Sequence, residues 1–273
     1  MFAVYTMTSY RRDRNVYVAQ QVRQDIRTGV HPGATTGLAP GNVQTNLVVL
    51  PREYAFDFLL FAQRNPKPCP IIEVIESGFE ATKTAPMSDL RTDISGYRLF
   101  ADGKHVDSAS DATPWWREDL VSFLLGCSFS FEEAFLRAKL PVRHIEVGRN
   151  VPMYETNLAC TPAGIFSGPM VVTCRPMPKE YVDQAADISS AYPHAHGGPV
   201  HIGNPEGLGI SDIHNPEFGD PPHIEDGDVP MFWACGVTPQ LALQAAKPWF
   251  AITHEPGCMF VTDLSDESPE NTQ

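Results

Sequence analysis

The stretch NLVVLPREYAFDFLLFAQRNPKPCPIIEVI, residues 46–75, decides the fold class. Residues 46–50 form a short apolar run, the pattern of a strand buried on both faces. Pro51 suits the first position of a helix, which runs through residue 61 and is closed by Asn65-Pro66. Residues 71–75 read as the next strand. Strand, helix, strand in this order predicts a βαβ unit and hence an α/β layer. A second unit of the same kind closes the chain, with a strand at 231–234, a helix opened by Thr238-Pro239 and ending at 246, and a strand at 250–253.

Outward from these units the text changes character. A helix is expected over 16–28, with Val16, Ala19, Val22 and Ile26 on one face and Gly29 as its stop. Residues 33–41 form a loop, and 97–100 with 105–106 form a hairpin around Asp102-Gly103. Thr113-Pro114 predicts a helix over 115–125, ended by Gly126. Ser130 and Glu133 make a capping-box pattern for a helix to about residue 138. Short strands are expected at 144–147, 153–155 and 170–173, and a helix with an acidic outer face at 180–191. Residues 192–230 are a long loop rich in Gly, Pro, His and Asp, and the acidic tail from 263 reads as frayed.

The chain of 273 residues carries 20 Lys+Arg against 33 Asp+Glu, a formal charge of −13. The excess is local. From residue 180 onward there are fifteen acids and one base, Lys247, whereas the first 179 residues are almost neutral. This excludes a nucleic-acid binder, which needs a basic stripe to displace counterions, and a surface held on anionic lipid. A hydrophobic fraction of 42% with 10% aromatics is that of a globular protein. No apolar run is long enough to span a bilayer, and the start lacks a secretory apolar core, so the expected location is the cytoplasm. Six cysteines with no CxxC pair read as reduced, buried thiols, and their spacing rules out an iron–sulfur centre.

Several phrases carry a resemblance: GATTGLAPGNVQTNLVVLP (33–51), RNPKPCP (64–70), LRTDI (90–94), WREDLVSFLLGCSFSFEEA (116–134), NVPMYETN (150–157), GGPVHIGNP (197–205), VPMFWACGVTPQ (229–240) and THEPG (253–257). From about residue 23 to 264 the chain resembles the D-glutamate cyclase family, whose bacterial members are called hydro-lyases. The resemblance implies an α/β fold: a larger three-layer α/β/α part built on βαβ units, with a smaller α+β subdomain. On that expectation residues 23–110 and 180–264 make the larger part and 111–179 the smaller, with an N-terminal extension at 1–22 and a flexible acidic tail at 265–273. It also implies elimination of water from a small amino or hydroxy acid. The activity attributed to a vertebrate relative is closure of D-glutamate to 5-oxo-D-proline.

Such a cyclisation asks for a clamped carboxylate, a base for the ammonium and an acid for the departing oxygen. Arg91 and Arg175 are the candidate clamps, because a guanidinium fork meets a carboxylate at two points; the competing reading is a structural ion pair for each. Ser128 and Ser130 precede a helix N-terminus, where free N–H groups make an anion pocket, although simple capping by Ser130 explains them as well. Glu132 in the first turn is a candidate general acid if desolvated. Cys235 and Thr238 stand at a second strand-to-helix turn; Cys235 reads either as a thiolate or as a small buried thiol. Five histidines, His194, His196, His201, His214 and His223, fall among acids without nearby cations, a field that should raise their pKa values, and His196 and His201 lie in or beside the GGPVHIGNP phrase as proton carriers. Asn46, Tyr154, Asn157 and His254 complete the substrate-binding candidates. No cofactor is expected. A divalent metal at the His-rich loop, serving a hydratase or amidohydrolase, is the competing enzyme reading, and a non-catalytic small-acid binding module is the alternative of another class. The expected partner is a small carboxylate-bearing substrate, with a homo-oligomer left open.

Overall fold

The computed structural model describes residues 2–76 and 78–266. The chain opens with helix α1 (Phe2–Arg27), strand β1 (Asn42–Pro51), helix α2 (Arg52–Arg64), strand β2 (Ile71–Ile75) and a hairpin of β3 (Tyr97–Ala101) and β4 (Lys104–Ala109). Strand β5 (Leu120–Gly126), helices α3 (Phe129–Arg137) and α4 (Arg143–Glu146), strands β6 (Met153–Ala159) and β7 (Pro169–Pro178), and helix α5 (Val182–Ser190) follow. The last third adds β8 (His201–Ile202), β9 (Asp228–Ala234), α6 (Thr238–Ala246), β10 (Ala251–His254) and β11 (Phe260–Ser265).

These strands make two sheets. The larger runs β2-β5-β1-β10-β3-β4, with β11 also paired to β1; the smaller runs β6-β7-β9-β8. The fold is α/β in class, with mixed helices and sheets, and the pairing adds a detail that composition could not supply. Among the described residues every strand pair is antiparallel. β1 and β2 do run parallel across α2, but β5 lies between them and pairs with both, so the unit is a split βαβ. The second expected unit is divided: β9 belongs to the smaller sheet and β10 to the larger, and α6 crosses from one to the other. The sheets therefore cut the chain elsewhere than at 111–179, since β5 lies in the larger sheet and β8 and β9 in the smaller.

β1 is buried along its whole length. Its outer half, Val48 and Leu50, packs with Phe123 and Leu125 of β5 under Phe58, Phe61 and Ala62 of α2. Phe58 meets Phe123 and Phe166 edge-on, with ring centroids 4.8 and 5.3 Å apart. Replacing such a ring by Ala costs about 3–5 kcal/mol. The opposite face, Leu47, Val49 and Leu124, is covered by irregular chain carrying Ala81, Ala85, Leu90 and Ile94, so that layer is not helical.

Four local expectations are corrected. Residues 120–126 are a strand, because Leu120-Val121-Ser122-Phe123-Leu124-Leu125 is buried on both faces, and a continuous apolar run in a central strand mimics helical spacing. Residues 143–146 form one helical turn that brings His144 inward, where a strand was expected. The region 16–28 belongs to a helix that begins at Phe2, and it is docked: the Arg23 guanidinium donates to Val261 O at 2.8 Å and pairs with Asp263 at 2.9 Å. That contact also holds residues 263–265 in β11 where fraying was expected; the rest of the acidic tail, 267–273, lies outside the described residues.

Candidate functional site

Two strands end alike. β5 runs through Gly126 and Cys127 into α3, and β9 runs through Cys235 and Gly236 into α6. In each turn the cysteine sulfur accepts the backbone N–H two residues on, from Phe129 to Cys127 and from Val237 to Cys235, the latter at 3.5 Å. Burial pushes both thiols up, Cys127 to about 12 and Cys235 to about 11, so neither is a thiolate at neutral pH. The two turns share a cavity of about 20 Å³, room for one water-sized group, walled also by Asn46, Asn150, Thr173 and Met259. Each turn presents the positive end of a nine-residue helix to it.

Close approach fixes the glycines. The Asn46 side chain donates to Gly126 O at 2.7 Å and to Leu125 O at 3.3 Å, tying β1 to the end of β5. It lies so near the other turn that a Cβ at Gly236 would fall 2.0 Å from Asn46 Nδ2. A Cβ at Gly126 would fall 1.6 Å from His194 O, so the segment around His194 closes over the end of β5.

Behind the cavity lies a buried ion pair. Arg175, on β7, is 1% exposed, and Glu132, on α3, is 3% exposed. The guanidinium donates to Glu132 Oε1 through Nε at 2.9 Å and again through Nη2. Its remaining bonds go to Thr173 Oγ1 at 2.8 Å and Ser128 Oγ at 3.0 Å, the two hydroxyls that wall the cavity. Phe131 and Trp233 lie against the guanidinium, 5.0 and 5.6 Å from ring centroid to Cζ. Burial alone pushes the Glu132 carboxyl up, but Arg175 and then His144, whose Nε2 is 3.2 Å from Oε1, outweigh it and hold the group at about 2. The His144 contact has ion-pair distance without hydrogen-bond alignment. A carboxylate so held carries no proton, so in this arrangement Glu132 neutralises Arg175 and is no general acid. Each hydroxyl accepts from the cation, which polarises its own O–H as a donor.

The other expected residues divide into those near this site and those elsewhere. Ser130 Oγ accepts from Gln44 N at 3.2 Å, and Thr238 Oγ1 accepts from Val171 N at 3.0 Å, so both act as struts between elements. His196, at a backbone φ of +78°, shares an electrostatic neighbourhood with Arg175 and Lys67. Its Nδ1 donates to Lys67 O at 2.7 Å, which leaves Nε2 with the lone pair, buried and without a partner. Burial first, then the neighbouring cations, lower His196 to about 4, and burial lowers His194 too. The expected upward shift is thus reversed at these two positions: both rings are sheltered from the acidic loop. His254 is fully buried against Leu47, lowered to about 4 chiefly by burial.

Arg91 lies in a surface groove with Phe79, Trp116 and Arg117, paired to Asp89 at 2.7 Å and stacked on Phe79 at 3.5 Å, apart from Arg175. Tyr154 packs on the opposite face of the smaller sheet with Val172 and Cys174, donating to Ile213 O at 2.5 Å. Asn157 is exposed and donates to Gly207 O at 3.4 Å; His201 contacts Asn204 O at 2.8 Å. Among the described residues no group of three or more His, Cys, Asp or Glu side chains converges in a metal-binding arrangement, so the five loop histidines are not gathered.

Residues 121–263 match the family model described as D-glutamate cyclase. A relative from Stutzerimonas stutzeri (strain A1501), named "Putative hydro-lyase", is 54% identical over 247 residues, covering 90% of this chain and 93% of its own. Another of the same name from Rubrobacter xylanophilus is 55% identical over 254 residues, covering 92% and 98%. The chain belongs to the D-glutamate cyclase family. A solved nitrogen repressor-like protein from Methanococcus jannaschii covers 92% of this chain at 10% identity and a TM-score of 0.37, a distant likeness. Among the described residues no helix is long and apolar enough to cross a membrane.

In this D-glutamate cyclase family chain, the constellation joins expected residues (Asn46, Ser128, Glu132, Arg175, Cys235) to residues that sequence reasoning missed: Thr173, His144, Asn150 and Cys127. One signal was available. Thr173 and Arg175 are two apart on one strand and therefore share a face, so a functional Arg175 implied its neighbour. His144 gave no such signal, because its inward turn depends on α4 packing beside β7.

Proposed function

We propose that this chain is a hydro-lyase that closes a small amino acid bearing a side-chain carboxylate, D-glutamate foremost, to its lactam with loss of water. The observation that carries the reading is the convergence of two helix N-termini and two Arg175-backed hydroxyls, Ser128 and Thr173, on one cavity. Such a cavity suits a carboxylate oxygen and the oxyanion that forms when the amine adds to the carboxyl carbon. In that reaction the nitrogen–carbon bond forms, a carbon–oxygen bond breaks, and two protons of the ammonium end on the departing oxygen as water.

Proton transfer is assigned to His196. Its free Nε2 is unprotonated at neutral pH, and an arriving anion favours the imidazolium form, so the ring can take a proton from nitrogen and return it to oxygen. Arg175 polarises the hydroxyls while Glu132 holds it in place. No step needs a thiolate, in keeping with the raised thiols of Cys127 and Cys235.

The test is direct. Pure protein is incubated with D- and L-glutamate, and 5-oxoproline is followed by chiral chromatography. Turnover of one enantiomer, lost in Ser128→Ala and Arg175→Met, is the expected result. Absence of both turnover and reverse hydrolysis at high enzyme concentration overturns it, and ligand-induced thermal stabilisation without turnover points to a binding module.

A further inference from the structure

Asn42, Gln44 and Asn46 are alternate residues of β1 and so point to one face. Asn46 reaches the cavity between the two turns, whereas Asn42 and Gln44 wall a second cavity of about 30 Å³. The two cavities share Phe129 in their walls. The second is built from acceptors. The Asn42 amide N–H donates to Thr262 O at 2.9 Å, and the Gln44 amide donates to Thr35 O at 3.1 Å and Leu38 O at 3.0 Å. Both amide orientations are therefore fixed, and each leaves a buried carbonyl oxygen, Asn42 Oδ1 and Gln44 Oε1, without a partner. These side chains are 3% and 4% exposed. Carboxylates of Glu132, Glu133 and Asp266 complete the wall, with Arg137 3.9 Å from Glu133 and 3.8 Å from Asp266 neutralising part of that charge.

We propose that this second cavity is the ammonium subsite of the same substrate, with Asn42 and Gln44 as its specificity-determining residues. Resting on the proposed lactam-forming activity, it makes the site two-ended: N–H groups, hydroxyls and Arg175 face the carboxylate, and unpartnered carbonyl oxygens and carboxylates face the nitrogen. Positions two apart on a strand are roughly 7 Å apart, comparable to the span of a glutamate-sized molecule. An amino acid fits both ends, and a hydroxy acid or plain dicarboxylate leaves the acceptors of Asn42 and Gln44 buried and unanswered. A lost hydrogen bond to a charged group weakens binding roughly 10- to 100-fold.

The probe pair is D-glutamate and glutarate, which keeps both carboxylates and lacks the ammonium. Calorimetric titration compares wild type with Gln44→Met and with Glu133→Gln, the latter a partly exposed position that leaves the core amides in place. D-glutamate should bind at least about 10-fold more tightly than glutarate, and both variants should bring D-glutamate toward the glutarate value while glutarate itself moves less than about 2-fold. Equal affinity of the two ligands for wild type overturns the subsite, as does equal weakening of both in each variant. If neither ligand binds, the failure lies with the acidic-substrate reading and removes this subsite with it. Turnover of D-glutamate with no discrimination against glutarate leaves the activity standing and sinks the subsite alone.

Discussion

Arg175→Met removes the cation from beneath the cavity and leaves Glu132 buried at 3% exposure, with His144 Nε2 3.2 Å from its Oε1. The Glu132 carboxyl is held at about 2 against an ordinary 4.5. That difference of about 2.5 units corresponds to about 3 kcal/mol of native-state stability at neutral pH. Breaking a buried pair by removing one partner costs about 3–5 kcal/mol, so the two routes agree on the scale. The pH dependence carries a sign. With Arg175 present the folded carboxyl titrates below its unfolded value, so its contribution is full above about pH 4.5 and is lost as pH falls toward 2. Without Arg175, burial dominates and the folded carboxyl rises above the unfolded value, so the variant recovers ground as pH falls through that raised value toward 4.5, before wild type begins to lose its own contribution. Urea unfolding at pH 7.5 and at several values down to about pH 2.5 measures both effects. The double variant Arg175→Met/Glu132→Gln should recover about 2 kcal/mol relative to Arg175→Met alone, because no buried charge remains. A loss below about 1 kcal/mol in Arg175→Met, or a double variant no more stable than the single, refutes the reasoning.

Three further outcomes are expected. Cys127 and Cys235, with thiols pushed up to about 12 and about 11, should resist iodoacetamide at pH 8 in the native protein and react after unfolding; quick native labelling followed by mass spectrometry would contradict their placement. Gly236→Ala should cost about 1–3 kcal/mol through its 2.0 Å approach to Asn46 Nδ2, and Asn46→Ala should offset part of that cost; strictly additive unfolding energies would rule out the contact. His196 and His254 are both lowered to about 4 by burial, so their contribution is full above about pH 6.5 and disappears as pH falls toward 4. Unfolding energies in that window should decline at up to about 3 kcal/mol per pH unit, two protons' worth, and His196→Gln should roughly halve the slope; an unchanged slope counts against the assignment.

Local pattern made the strand–helix pairs legible. Asn46 to Ile75 and Met231 to Ala246 announce a strand, a turn with Pro or Gly, and a helix, and these features depend only on residues a few positions apart. The same holds for Ser128, Glu132 and Cys235, which stand at strand-to-helix turns where orphan N–H groups are a local consequence of helix geometry. The pairing of strands was not legible. Whether β5 slips between β1 and β2 depends on long-range burial, and the apolar run of 120–125 satisfies a helix and a central strand equally well until the neighbours exist.

Charge shows the same division. The sequence alone established that the acidic excess lies after residue 180 and that cations for an anionic ligand must come from the first two thirds. It named Arg91 and Arg175 together, and only the tertiary structure separated them, because one lies in a surface groove on Asp89 and the other is buried between the smaller sheet and α3 on Glu132. It placed the histidines in an acidic field, but burial lowered His194 and His196 instead. Desolvation is set by everything packed around a group, and that surrounding shell is assembled from residues far apart in the chain. Composition and spacing determined which groups this protein owns; folding decided which of them are dry, paired and turned toward one cavity.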